Sequence, residues 1–163
     1  KKLWMSIIGI IAIILIIIII IIITTLLGQD KNVIVSSYQQ FINLNSDVQS
    51  ITIQSKTCNE LDFTTFDIDR FTELQQLIIQ SNSLQQLRSF TINQLNLLQS
   101  ITIESDVSSI NQGSFRISNC NSLTSININS NSFTSFNEFY LLSIDFIHLI
   151  NRFTYNQFYN DWI

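Results

Sequence analysis

Three hydrophobic columns recur along the chain in one register, and no other sequence feature restricts the fold as strongly. The first column reads Val48-x-x-Ile51-x-Ile53, Leu74-x-x-Leu77-x-Ile79, Leu98-x-x-Ile101-x-Ile103 and Leu123-x-x-Ile126-x-Ile128, in steps of 24–26 residues. The second places Phe66 and Ile68 before Phe71, Phe90 and Ile92 before Leu95, Phe115 and Ile117 before Cys120, and Phe139 and Leu141 before Ile144. The third is a pair three residues apart: Cys58 with Leu61, Leu84 with Leu87, Val107 with Ile110, and Phe133 with Phe136. Repetition at this period marks a solenoid, because one unit has a single apolar side that it can bury only against its neighbours. The last three positions of L-x-x-I-x-I alternate, as a strand with one buried face requires. The i, i+3 spacing elsewhere suits a 3₁₀ turn or a bent extended segment rather than a long helix. The expected fold is β-rich, with parallel strands in about 4–5 stacked repeats.

Such a stack must turn without the usual punctuation. The chain has no proline, and of its 3 glycines only Gly113 lies beyond residue 28. The turns are therefore expected to be built from Asn, Ser and Asp.

Alternation also assigns the outward positions of the main strands. They are Gln49, Ser50, Thr52 and Gln54; Gln75, Gln76, Ile78 and Gln80; Gln99, Ser100, Thr102 and Glu104; and Thr124, Ser125, Asn127 and Asn129. This face is expected to be concave and is the candidate binding surface. It suits a polar partner or glycan through neutral hydrogen bonds. It equally suits a solvated face whose Gln and Ser ladders only stabilise stacking, since it lacks the Trp, Tyr and Arg that dominate most interfaces.

The N-terminal segment is of a different kind. After Lys1 and Lys2, residues 3–27 are apolar and mostly isoleucine. A helix of about 25 residues is roughly 37 Å long, enough to span a hydrocarbon core of about 30 Å with some tilt. The run exceeds the apolar stretch of about 7–15 residues in a signal peptide and lacks a small-x-small cleavage pattern, although an uncleaved or cleaved signal is the alternative. Trp4 suits an interfacial position, and Lys1 and Lys2 place the N-terminus on the cytoplasmic side and the repeats outside or in a lumen. The chain has no N-x-S/T sequon, which weighs slightly against a lumenal location.

Leu74, Leu77, Ile79, Asn82 and Leu84 fit L-x-x-L-x-L-x-x-N-x-L throughout, and Leu123, Ile126, Ile128, Asn131 and Phe133 fit it with an aromatic at the end. In these residues the chain resembles the leucine-rich-repeat family, whose folds are assigned to the α/β class. Lys56 and Asp106 stand where the family has Asn. The Phe-rich second element is similar to the divergent repeats of large protist and bacterial surface proteins. The resemblance covers roughly residues 40–150. It implies a curved solenoid that binds other proteins or surface ligands, turns held by the Asn side chain, and no catalysis.

Charge and chemistry narrow the function further. Beyond residue 28 there are 12 acidic and 6 basic residues, so the basic patch of a nucleic-acid binder is missing. Cys58 and Cys120 fall in core columns and read as small buried hydrophobes. Glu60, Asp62, Asp67 and Asp69 near Arg70 form an acidic cluster without the loop of a calcium site, and read as a solvated edge. His148 is the only histidine, and no nucleophile, phosphate-loop or dinucleotide motif accompanies it. No cofactor and no metal is expected. The tail holds Phe146, Phe153, Tyr155, Phe158, Tyr159 and Trp162, which suit a cap on the solenoid end, the start of a further repeat, or a partner patch. The organisation expected is an anchor in 1–28, a linker and edge in 29–47, repeats in 48–147 and an aromatic cap or unfinished repeat in 148–163. The chain is read as a piece of a longer protein. Its expected role is that of a single-pass, membrane-anchored binding module, with a purely structural surface array as the rival.

Overall fold

The structure, a computed structural model, describes residues 13–19, 31–109 and 111–142. The chain divides into two units, Lys1–Asp30 and Lys31–Ile163. In the first unit, residues 13–19 are helical and their apolar side chains are exposed. No helix among the described residues is long and apolar enough to cross a membrane. The rest of the span expected in 1–28 lies outside the described residues, as do Ile110, Ile144, His148 and the aromatic tail from Phe146.

The second unit is a parallel β-solenoid of about 4 turns. Among the described residues its strands are β1 (Asn32–Val35), β2 (Ser50–Ile53), β3 (Thr65–Asp67), β4 (Gln76–Ile79), β5 (Ser89–Asn93), β6 (Ser100–Ile103), β7 (Ser114–Ser118), β8 (Ser125–Ile128) and β9 (Glu138–Leu142), with one short helix, α1 (Tyr38–Ile42). The first sheet runs β1-β2-β4-β6-β8 and the second β3-β5-β7-β9, with every pair parallel. The second column is therefore a strand in its own right, where its spacing suggests a turn or bend. Alternation explains it: Phe66, Ile68, Phe90, Ile92, Phe115 and Ile117 are all buried. They face the buried Ile51, Ile53, Leu77, Ile79, Ile101 and Ile103 of the first sheet in one core.

Phenylalanine builds a continuous stack along that core. Ring centroids are 5.2 Å apart for Phe41–Phe66, 5.2 Å for Phe66–Phe90, 4.7 Å for Phe90–Phe115 and 5.6 Å for Phe115–Phe139. The parallel register forces identical side chains onto one another, at spacings where offset rings attract. Phe41 belongs to α1 and closes the stack at its N-terminal end. The segment 29–47, expected as linker and edge, thus supplies both the first strand of one sheet and a cap for the core.

The corners are turned by left-handed residues that are not glycine. Lys56, Asn82, Asp106 and Asn131 form one column at φ near 60° (62°, 60°, 61° and 62°), each three residues past its strand. Cys58, Leu84, Ser108 and Phe133 form a second, two residues later, at φ 55°, 55°, 46° and 55°. In the first column the backbone N–H of Lys56, Asn82 and Asp106 donates to the carbonyl of Ser81, Ser105 and Ser130 in the following coil, at 3.0–3.2 Å. In the second, Leu84 and Phe133 donate back to Thr57 (3.3 Å) and Val107 (2.9 Å). The inter-coil ladder thus continues around the corner. Each non-glycine residue held there costs on the order of 1–2 kcal/mol, least for Asn and Asp, and these backbone bonds offset it. Asn82 and Asn131 are exposed, so what these positions contribute to the turn is their backbone conformation.

Two positions depart from the expected columns. Leu61 is 83% exposed, and Phe63 is buried in its place. The first coil has two more residues than the second between the corner and the Phe strand. Counting forward from Cys58 therefore lands on Leu61, while counting back from Phe66 lands on Phe63, the register partner of Leu87 and Phe136. In the third coil Ser108 takes the corner position of Leu84 and Phe133, and Val107 sits where the neighbouring coils have Ser83 and Ser132. The swap leaves no polar atom stranded. Ser108 donates its hydroxyl to the Leu87 carbonyl (3.0 Å). Val107 cannot cap the Glu104 carbonyl, so Ser132 of the next coil does so at 2.6 Å and accepts the Val107 N–H at 3.0 Å.

Candidate functional site

The outward positions of the first sheet form rows in register. One runs Asn32, Ser50, Gln76, Ser100, Ser125, and the other Ile34, Thr52, Ile78, Thr102, Asn127. The strand residues Ser50, Thr52, Ile78, Ser100, Thr102, Ser125 and Asn127 are half-buried, and Gln76 is exposed. Gln49, Gln75, Gln99 and Thr124 precede the strands. The carbonyls of Gln49, Gln75 and Gln99 each accept two N–H groups from the next coil, as Gln49 does from Gln75 (2.8 Å) and Gln76 (3.2 Å). That shared bond bends the chain, so two consecutive residues, 49 and 50, both avoid the core.

Part of this polar surface is spent on stacking. The Ser50 hydroxyl donates to Gln76 Oε1 (3.4 Å), Gln80 Oε1 accepts the Ser55 N–H (3.0 Å), and Glu104 Oε2 accepts both the N–H and the hydroxyl of Ser81 (3.0 Å each). Apart from Glu104 these side chains are neutral. Ile34 adds an apolar spot at the N-terminal edge, 63% exposed.

The second sheet presents a face of different chemistry. Its central outward row is Asp67, Thr91, Arg116, Tyr140, and the Arg116 guanidinium lies 6.0 Å from the Tyr140 ring centroid. Reading the Phe-x-Ile element as a strand would have exposed this row in the sequence, because its intervening residues then point outward.

The acidic cluster is distributed over separate local tasks. Glu60 Oε1 accepts the Tyr38 N–H at the start of α1 (2.9 Å), Asp67 Oδ1 accepts the Asp69 N–H (3.0 Å), and Asp69 Oδ1 accepts the Asn93 N–H (2.6 Å). Burial raises the Asp69 carboxyl above its ordinary pKa, against the Asn93 bond, with Asp67 adding to the rise. Arg70 closes the other end of α1, donating to the carbonyls of Phe41 (2.7 Å) and Ile42 (3.0 Å) while stacking 4.5 Å from the Phe71 ring centroid. Among the described residues no group of three His, Cys, Asp or Glu is gathered to hold a metal. Cys58 and Cys120 are buried and free. Burial pushes the Cys58 thiol up to about 11 and raises Cys120, so neither offers a thiolate at neutral pH.

Between α1 and β3 lies a cleft of about 400 Å³ lined by Tyr38, Phe41, Ile42, Thr65, Asp67, Asp69 and Arg70. The described part of the second unit is thus a two-sheet parallel β-solenoid with a neutral face, a charged and aromatic face, and a cleft at the N-terminal end of the solenoid. Comparison with protein-family models, curated proteins and solved structures finds no match to the chain.

Proposed function

We propose that this chain is a single-pass, membrane-anchored binding module of leucine-rich-repeat type. It presents the outward face of its first sheet to another protein or surface ligand and carries out no catalysis. The observation that carries this reading is the in-register pair of neutral rows, Ser50 to Ser125 and Thr52 to Asn127, displayed on a sheet whose other side is fully committed to the core. The apolar run in residues 3–27 supports the anchor, and Lys1 and Lys2 support a repeat domain outside the cell or in a lumen. A structural surface array without a specific ligand is the second reading. It is favoured by the bonds from Gln76, Gln80 and Glu104 to the preceding coil, which use polar side chains for stacking.

Photo-crosslinkable residues at Thr52 and Thr102, with Thr91 on the second sheet as control, test the face on intact cells. An adduct of defined mass from the first sheet alone is expected, changing little with salt because the face is near-neutral. Gln76→Arg and Ser125→Arg, on non-adjacent strands, are each expected to weaken it about tenfold. Absence of an adduct from either sheet points to the structural array. For the anchor, alkaline carbonate washing is expected to leave the chain in the membrane fraction. A soluble chain with a new N-terminus near Gln29 means a cleaved signal instead.

A further inference from the structure

The second sheet starts one strand later than the first. β1 heads the first sheet, whereas β3 has no strand on its other side in the second; α1 packs nearby through Phe41, 5.2 Å from the Phe66 ring, with a cleft between helix and strand. The backbone shows what this leaves open. The Thr64 carbonyl accepts the N–H groups of Arg88 (2.8 Å) and Ser89 (3.1 Å). Donors and acceptors alternate residue by residue in a parallel ladder, so Phe66 bonds to β5 while Thr65 and Asp67 turn their N–H and C=O groups the other way. No described residue takes up these four groups. The equivalent edge of β1 is partly closed, since Gln40 Nε2 donates to the Ile34 carbonyl (2.8 Å). The open edge of β3 borders the cleft, whose lining joins the apolar Phe41 and Ile42 of α1 to the carboxylates Asp67 and Asp69. Arg70, the one cation in the lining, is already bonded to the Phe41 and Ile42 carbonyls.

The geometry points to β3 as a strand-addition site for an extended, basic segment of a partner polypeptide. This site is separate from the face proposed above. The added strand bonds to Thr65 and Asp67, its inward residues are apolar and pack on α1, and its outward residue is a Lys or Arg beside Asp67. Cross-strand neighbours on one face lie about 5 Å apart, close enough for that pairing. Main-chain bonds supply affinity and the alternate side chains supply selectivity, as in other strand-addition complexes.

The test uses the full chain in detergent and labelled hexapeptides of alternating valine and lysine, alternating valine and glutamate, and the lysine series with a central proline. The lysine peptide is expected to bind saturably by fluorescence anisotropy and to slow hydrogen exchange at the Thr65 and Asp67 amides. The glutamate and proline peptides are expected not to bind. Asp67→Asn is expected to weaken the lysine peptide about tenfold and to flatten its salt dependence, with unchanged circular dichroism. Equal binding of the proline peptide, or exchange at Thr65 and Asp67 unaffected by the lysine peptide, overturns strand addition. Protection of those amides by rising concentration of the chain alone makes the occupant a second copy, which also overturns it.

Discussion

Ile101→Asp is expected to unfold the repeat domain, and Thr102→Asp, one residue further on, to leave it folded. Ile101 is fully buried in β6, paired in register with Leu77 on one side and Ile126 on the other. A carboxylate there has no cation or donor within the apolar column, and burying it ionised or protonated costs several kcal/mol on top of the lost packing. An expected loss of about 5 kcal/mol is comparable with the whole stability of a small domain. Thr102 points to solvent between Ile78 and Asn127, and its replacement is expected to change stability by no more than about 0.5 kcal/mol. Urea unfolding followed by circular dichroism measures both. Equal damage from the two changes would mean that the first sheet is out of register with the alternation read from its sequence.

That pair of neighbours also shows what alternation makes legible. In β2, β6 and β8 the apolar residues fall at every second position, and β4 keeps the same buried pair with Ile78 as one outward apolar residue, so these strands, their buried columns and their outward rows follow from the residue types. The second sheet was harder to read, because Phe-x-Ile gives only one full alternation before the spacing changes to three, which is too short to separate a strand from a bend. With that strand went its outward row, and Arg116 beside Tyr140 carries no motif of its own. Corners were legible where Asn82, Asn131 and Asp106 tolerate positive φ, and illegible at Lys56, Leu84 and Phe133. Those three have no intrinsic preference for it and are held there by inter-coil backbone bonds and, for Leu84 and Phe133, by burial. Leu61 illustrates the same limit: composition cannot tell which of two apolar residues near a corner turns inward when a coil is two residues longer. Helix α1 carries a single apolar i, i+3, i+4 set, Tyr38, Phe41 and Ile42, too short to mark a helix by its period; Ser37 caps its start (the Gln40 N–H donates to Ser37 Oγ at 3.2 Å) and Arg70 holds its end.

Gly113→Ala is expected to cost about 3 kcal/mol, at the upper end of overpacking effects, although it adds a single methyl group to a half-buried position. A Cβ on Gly113 falls on the carbonyl oxygen of Arg88, 2.8 Å from the carbonyl carbon and 2.9 Å from Cε1 of Phe136. Backbone cannot step aside as a flexible side chain does. The Arg88 carbonyl also accepts the Ser114 N–H at 2.9 Å where β5 and β7 begin to pair, and the Gly113 carbonyl accepts the Asn137 N–H at 3.1 Å on the way to β9. Displacing this point therefore strains the second sheet on both sides of the third coil. The register partners of Gly113 in the other coils are Thr64, Arg88 and Asn137, which carry side chains. The close approach thus belongs to this coil, whose corner from Ser108 to Phe115 is one residue longer than those from Leu84 to Phe90 and from Phe133 to Phe139. Arg88→Ala, at the matching exposed position, is expected to change stability by less than about 0.5 kcal/mol. Hydrogen exchange should locate the damage, with faster exchange in β7 and β9 and little change in β4 and β6. If Gly113→Ala is as stable as the parent, or if it loosens the first sheet as much as the second, the third coil does not approach Arg88 in this way, and the sole glycine of the repeat domain has no steric reason to be there.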